Sequence, residues 1–168
     1  GRDLGAVSIA REKVRDWVRA GANREALKLL ETAMTLSVPH IQKPDCDWDP
    51  IFVDVATELC RLRTKLARHI HAIPAVIDQV MAVARRLGDL RTMARLELVR
   101  GLYRYMTGDT AGGLALIASG LCQAESLGDD DIMAVSAEFK GIYYYLQGMY
   151  KEAVDSFEIV VRLGDSIP

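Results

Sequence analysis

The chain has 168 residues, of which 50% are hydrophobic and 26% charged, a composition typical of a folded globular protein. Its formal net charge of −2 argues against a general nucleic-acid or anionic-membrane surface, because either would need a basic excess. One hydrophobic core can serve a chain of this length, so we expect a single domain over residues 1–168. The three cysteines are odd in number and far apart, which favours a reduced, cytoplasmic protein over a disulfide scaffold.

Eight helices are predicted along the chain, and short polar residues mark their starts. Asp, Asn and Thr accept hydrogen bonds from the free N–H groups of a first turn, and Pro tolerates the first helical position. Such residues stand at Asp3, Asn23, Asp49–Pro50, Asp89, Asp109–Thr110 and Asp129–Asp131. Alternating apolar runs bounded by hairpin turns, which would predict strands, are missing from the sequence. The helices are expected over residues 3–20, 24–37, 50–70, 74–87, 90–107, 110–127, 130–147 and 150–164.

The predicted helices pair into four hairpins, at about residues 3–37, 50–87, 90–127 and 130–164. A linker over residues 38–49, which contains Pro39 and Pro44, separates the first hairpin from the rest. The predicted fold class is therefore all-α.

Two segments forty residues apart share one pattern. The run Gly101-Leu-Tyr-Arg-Tyr105 aligns with Gly141-Ile-Tyr-Tyr-Tyr145, and further on Gly108 aligns with Gly148. A recurrence of this length is typical of stacked helical repeats. The same frame continues with Gly113 and Ile117 against Ala153 and Phe157, and it reappears near the amino terminus at Trp17, Gly21, Ala26, Leu30 and Ala33.

This frame resembles the tetratricopeptide repeat, and the last hairpin matches it best, with Gly141, Tyr144, Gly148, Tyr150, Ala153 and Phe157 in order. The second hairpin departs most from the pattern. The resemblance implies a right-handed α-α superhelix of about four antiparallel hairpins. The Leu-Gly-Asp triplets at 87–89, 127–129 and 163–165 are similar to those of longer repeats in bacterial multidomain signalling and transcription-regulatory proteins. We therefore expect a fragment of a larger cytoplasmic protein of that kind.

The sequence lacks the familiar catalytic and phosphate-binding motifs, GxxxxGK, GxGxxG, GxSxG and HExxH. We expect a protein that is not an enzyme and that takes no cofactor. His69 and His71 do not predict a metal site, because residues i and i+2 of a helix point apart and His40 is the only other histidine. The acidic stretch 45–49 is interpreted as a linker that ends in a helix cap. Cys60 and Cys122 lie in apolar helical segments and are predicted to be core residues.

The resemblance also implies a concave groove, lined by the first helices of the third and fourth hairpins. The first hypothesis is that this apolar groove binds a protein or peptide, with no nucleic acid and no membrane involved. The alternative is that its residues pack against neighbouring helices or neighbouring domains of the parent chain, in a structural or oligomerisation module without a separate ligand. The groove residues are Arg95, Leu98, Leu102, Tyr105, Met106, Glu138, Phe139, Ile142 and Tyr145.

The three consecutive tyrosines are expected to do different things, because successive residues on a helix point about 100° apart. Tyr144 is predicted to pack inside its hairpin, Tyr143 to meet a neighbouring repeat, and Tyr145 to face the groove.

The last helix carries more apolar residues than one contact stripe needs, although terminal repeats normally have a polar outer face. We expect a second copy, forming a homodimer through the C-terminal repeat, or a downstream segment to cover Val154, Phe157, Val160, Val161 and Leu163.

Overall fold

The computed structural model describes residues 2–41, 47–128 and 130–164, and the side chains at positions 2, 130, 131, 163 and 164 lie outside that description. Within these ranges the chain is all-helical, as the sequence predicts, and contains no strand. The helices are α1 (Arg2–Arg19), α2 (Asn23–Ser37), α3 (Trp48–Lys65), α4 (Ile73–Leu87), α5 (Leu90–Met106), α6 (Thr110–Leu127), α7 (Asp130–Leu146) and α8 (Tyr150–Gly164), with 3-10 helices at Val38–His40 and Ile70–Ala72.

Two compact units divide the chain between Thr92 and Met93, in the first turn of α5. In the first unit, α1 packs on α2, α2 on α3 and α3 on α4. In the second, α5 packs on α6, α6 on α7 and α7 on α8. Helices that follow one another in sequence are thus neighbours in space within each unit. None of the helices in the described ranges combines the length and apolarity that a bilayer span requires.

Helix α3 is the centre of the first unit. It packs against α1, α2 and α4, and its apolar residues are accordingly buried on more than one side. Phe52 and Leu59 of α3 are fully buried, together with Leu30 of α2 and Ile77 of α4. Burial of several large apolar side chains at helical spacing is the main source of stability for such a unit.

Four turns repeat the same hydrogen bonds. They follow α1, α4, α5 and α7, and each contains a glycine with positive φ, at Gly21, Gly88, Gly108 and Gly148. The N–H after each glycine donates to the carbonyl five residues earlier, over 2.8 Å after α1 and 2.9 Å after α4, α5 and α7. This is the Schellman ending of a helix, in which glycine accepts the left-handed conformation without a steric penalty.

The turn after α3 has the same hydrogen bonds but no glycine. The N–H of Arg68 donates to the carbonyl of Arg63 over 3.0 Å, and Ala67 takes the left-handed conformation with φ 50°. The predicted end of this helix, residue 70, is therefore wrong: α3 ends at Lys65. His69 also has positive φ before the chain enters α4. Elsewhere the predicted helix bounds hold within two residues.

Two of the predicted helix caps are confirmed. Asp109 accepts a hydrogen bond from the N–H of Gly112 over 3.0 Å, and Asp89 accepts one from the N–H of Thr92 over 3.0 Å. Asn23 is not a cap, because α2 begins at that residue, after Ala22. The side chains at positions 129–131 and linker residues 42–46 lie outside the described part of the chain.

Glycines bring the paired helices of the second unit close together. A Cβ atom added at Gly101 would lie 2.8 Å from Ile117 Cγ1 and 2.8 Å from the carbonyl oxygen of Gly113. One added at Gly141 would lie 2.6 Å from the ring of Phe157. The two glycines, and the two residues that they face, are the pairs that the forty-residue alignment makes equivalent. The internal repeat is therefore also a repeat of helix packing in this unit.

Candidate interaction surfaces

The five groove residues predicted on α5 divide into buried and accessible ones. Leu98 is fully buried and packs toward α6, where its Cδ2 lies 2.9 Å from the position of a Cβ at Gly120. It is a core residue, and its assignment to a groove is wrong. Arg95, Leu102 and Tyr105 are half-buried, and Met106 is exposed.

The four residues predicted on α7 divide in the same way. Phe139 is buried, so it too belongs to the core. Glu138 and Ile142 are half-buried, whereas 59% of Tyr145 is exposed. For Leu98 and Phe139 the alternative of packing against neighbouring helices thus applies, and seven of the nine predicted groove residues keep accessible surface.

The tyrosines of α7 form two edge-to-face ring pairs. Tyr143 and Tyr144, both half-buried, contact each other with ring centroids 5.8 Å apart. Tyr145 contacts Tyr150 across the α7–α8 turn, also at 5.8 Å, and both rings are exposed. Tyr145 thus presents a paired aromatic surface to solvent.

Helix α8 carries an exposed apolar stripe. Its residues, at intervals of four, three and four, are Tyr150, Val154, Phe157 and Val161, with 65%, 55%, 38% and 63% of their surface exposed. This spacing places all four on one side of the helix. We call them the α8 stripe. The sequence-based prediction of an apolar outer face on this helix included all of them except Tyr150. Tyr150 stands seven residues before Phe157, and this spacing is the signal that places it on the same face.

The other residues predicted on that face lie elsewhere. Val160 is half-buried beside the α7-facing side, where Ala153 and Ser156 are buried. Leu163 has its side chain outside the described part of the chain.

A small cleft of about 140 Å³ opens between α6, α7 and α8. The ion pair between Lys140 Nζ and Glu125 Oε1, 3.1 Å long, lies at its wall, so these two charges satisfy each other. The exposed side chains of Met133 and Ile159 also line it. The cleft can hold an apolar side chain, and its remaining lining residues are Ala124, Ser136, Ala137 and Ser156.

The histidines have separate neighbours. His69 Nδ1 lies 2.9 Å from Glu31 Oε1, which also accepts a hydrogen bond from Arg63 over 3.2 Å. The ring of His40 stacks on that of Trp48 with centroids 4.1 Å apart. In the described ranges, no group of three or more His, Cys, Asp or Glu side chains is arranged to hold a metal ion.

The two described cysteines differ in environment. Cys60 is buried in α3, and this burial raises the pKa of its thiol to about 12. Cys122 is exposed, so its predicted place in the core is wrong. Residues such as Gly120 and Leu121 made its sequence context apolar, but helical rotation turns position 122 outward.

The acidic stretch before α3 also differs from its interpretation. Asp49 is not a cap: it lies inside the first turn of α3, where its carboxylate is 3% exposed and pairs with Arg86 of α4. Residues 45 and 46 of the stretch lie outside the described part of the chain.

Comparison with protein-family models and with curated protein sequences finds no match to this chain.

Proposed function

We propose that this chain is a helical-repeat module that binds another polypeptide and catalyses no reaction. The observation that carries the proposal is the recurrence of one helix-pair geometry, with Gly101 against Ile117 and Gly141 against Phe157. Stacked repeats of this kind form extended surfaces, and such surfaces serve for binding polypeptides. The arrangement proposed is tetratricopeptide-like, a right-handed superhelix of four antiparallel hairpins.

The proposed binding residues are the accessible members of the predicted groove. On α5, Arg95, Leu102 and Met106 follow one another at intervals of seven and four, so they share one side of the helix. On α7, Ile142 and Tyr145 stand three residues apart and are accessible. The apolar residues of this set, Leu102, Met106 and Ile142, suit contact with the apolar side of an amphipathic helix. Tyr105 completes the set on α5, and Glu138 on α7 provides a charge opposite in sign to that of Arg95.

The single asparagine of the chain, Asn23, bears on the mode of binding. Asparagine amides can donate to and accept from a peptide bond at once, so a groove rich in them can hold an extended backbone. The proposed surface contains none. Recognition therefore rests on side chains of the partner.

The biological setting proposed is a bacterial cytoplasmic signalling or transcription-regulatory protein, in which the module lies beside other domains. This part of the proposal rests on the Leu-Gly-Asp triplets and on the repeat frame.

The experiment is a selection of helical peptides from a display library on the intact chain, followed by calorimetry of the selected peptides with variants. Tyr145→Ala and Tyr105→Ala are expected to weaken binding by about 2 kcal/mol, because desolvated aromatic anchors carry most interface energy. Ile9→Ala is the matched control, since Ile9 is an exposed apolar residue of α1. Failure to select any peptide, or peptides that bind all three variants equally, would show that this surface is not a polypeptide site.

A further inference from the structure

We propose that the α8 stripe is the contact face of a symmetric dimer, in which α8 of one chain packs antiparallel against α8 of a second copy. This surface is separate from the proposed polypeptide site on α5 and α7, although the contact between Tyr145 and Tyr150 makes the two adjoin.

The internal repeat indicates which kind of structural element packs on the α8 stripe. The forty-residue alignment makes Val154, Phe157 and Val161 of α8 equivalent to Leu114, Ile117 and Leu121 of α6. In α6, which packs between α5 and α7, Ile117 and Leu121 are buried and Leu114 is half-buried. The positions of Leu114 and Leu121, which neighbouring helices cover at least in part, correspond in α8 to Val154 and Val161, which are exposed. Phe157 packs against Gly141 of α7, as Ile117 packs against Gly101 of α5, but it keeps 38% of its surface exposed. The stripe therefore has the spacing and composition of a face that receives a helix.

The spacing of the stripe also sets the pairing. Its intervals of four, three and four are those of the contact seam of a two-helix coiled coil. An antiparallel pair about a twofold axis between Val154 and Phe157 places Val154 opposite Phe157 of the second copy. The same axis places Tyr150 opposite Val161 of the second copy. A twofold contact uses the same patch on both chains, and this stripe is complementary to itself under that operation.

The charges beside the stripe identify the occupant as a second copy. Lys151 and Glu158 are exposed and seven residues apart, on the flank of the stripe away from buried Ala153 and Ser156. In an antiparallel pair this flank meets the same flank of the other chain, so Lys151 comes next to Glu158 of the second copy, twice by symmetry. In a parallel pair it would meet the side of α8 that already packs on α7. Only the antiparallel pair brings opposite charges together while leaving α7 in place.

The first experiment measures self-association of the intact chain by sedimentation equilibrium. The wild type is expected to show a monomer–dimer equilibrium. The double variant Val154→Glu with Val161→Glu should weaken it by about 100-fold or more, because it places unpaired charges in the seam. Ile9→Glu, the same change at an exposed apolar residue of α1, should leave the equilibrium unchanged. Circular dichroism checks that each variant is folded, which is expected because the substituted side chains are largely exposed.

The second experiment exchanges the flanking charges. Lys151→Glu and Glu158→Lys should each weaken the dimer roughly threefold to tenfold, and the double exchange should recover the wild-type affinity. The proposal is overturned if the chain stays monomeric up to about 1 mM, because a dimer with a dissociation constant above that concentration would be too weak to form in practice. It is also overturned by a dimer that the valine substitutions leave unchanged, or by a double exchange that binds no better than the single variants. Peptide binding by the same variants is measured separately, so a failure of one proposal does not affect the other.

Discussion

The carboxylate of Asp49 and the guanidinium of Arg86 bind each other across 37 residues of sequence, through hydrogen bonds of 3.0 Å from Nε and 2.6 Å from a terminal nitrogen. The pair joins the first turn of α3 to the last turn of α4. Neither of these helices contains a glycine, so the close glycine crossing of the second unit is not open to them. This helix pair is joined instead by an ion pair whose carboxylate is largely buried.

Removing either partner of the Asp49–Arg86 ion pair should destabilise the chain. Arg86→Met leaves a buried carboxylate without its partner, and we expect a loss of about 3–5 kcal/mol of unfolding free energy. Asp49→Asn, which leaves a more exposed guanidinium, should cost about 1–3 kcal/mol. Asp54→Asn is the control: its ion pair with Arg11 is exposed, and it should cost less than about 1 kcal/mol. Urea titration measures all three. Equal losses for Asp49→Asn and Asp54→Asn would contradict the structural role of the buried pair.

Glycine-to-alanine substitutions should distinguish close helix contacts from open ones. At Gly101 a new methyl group meets backbone atoms of α6, which cannot move aside, so we expect a loss of about 1–3 kcal/mol. At Gly141 it meets the ring of Phe157, which is part-exposed and can rotate outward, so the loss should be smaller. Gly5 in α1 has no atom within 4 Å of a new Cβ, and its substitution should stabilise by about 0.5–1 kcal/mol. Thermal melts of the three variants give the order, and a Gly101→Ala protein as stable as Gly5→Ala would disprove the close contact.

A glycine at position 67 should stabilise the turn after α3. Ala67 is exposed and holds a left-handed conformation, which costs an L-residue roughly 1–2 kcal/mol, so Ala67→Gly should stabilise the chain by about 1 kcal/mol. The matched control is Ala6→Gly at an exposed position inside α1, where the backbone is ordinary helix and glycine brings only added freedom in the unfolded chain. Chemical denaturation should move the two variants in opposite directions. Destabilisation by both would mean that Ala67 is not strained.

The two described thiols should differ in reactivity. Burial raises the pKa of Cys60 to about 12, which leaves about one thiolate in ten thousand molecules at pH 8. Cys122 is exposed and should react with a disulfide reagent at once, in a Cys46→Ser background that leaves only these two thiols. One thiol per folded chain should be titrated, and two after denaturation. Rapid reaction of both in the folded chain would contradict the burial of Cys60.

The contribution of Glu31 to the unfolding free energy should depend on pH. Burial alone would raise the pKa of this carboxyl, but hydrogen bonds from His69 and Arg63 outweigh it and lower the pKa below 4.5. The folded state thus favours the carboxylate, and its contribution is complete above pH 4.5 and is lost as the pH falls through the folded pKa. The difference in unfolding free energy between wild type and Glu31→Gln should therefore shrink below pH 4.5. A difference that is the same at pH 7 and pH 3 would exclude this linkage.

Local signals explain why the helices could be predicted from the sequence. Asp89 and Asp109 cap helices through atoms within three residues, and Gly108 and Gly148 end helices through contacts just as short. The end of α3 was missed because alanine occupies the position of the glycine, so the turn had no signal.

The candidate sites were harder to predict, because they depend on partners distant in sequence. Asp49 looked like a cap, since nothing near it indicates Arg86. Leu98 and Phe139 fit an exposed face of a regular helix, yet burial is decided by which neighbouring helix covers each side. The exposed face of α8 was predictable, because its excess of apolar residues is visible within a single helix.

The division between Thr92 and Met93 also separates the natural chromophores of the chain. Both tryptophans, Trp17 and Trp48, precede it, and all six tyrosines follow it, the first at Tyr103. Tryptophan fluorescence therefore reports the unfolding of the first unit, and tyrosine absorbance that of the second, without any label. If the 168 residues unfold as one cooperative domain, the two optical curves coincide; if each unit has its own stability, they separate along the denaturant axis.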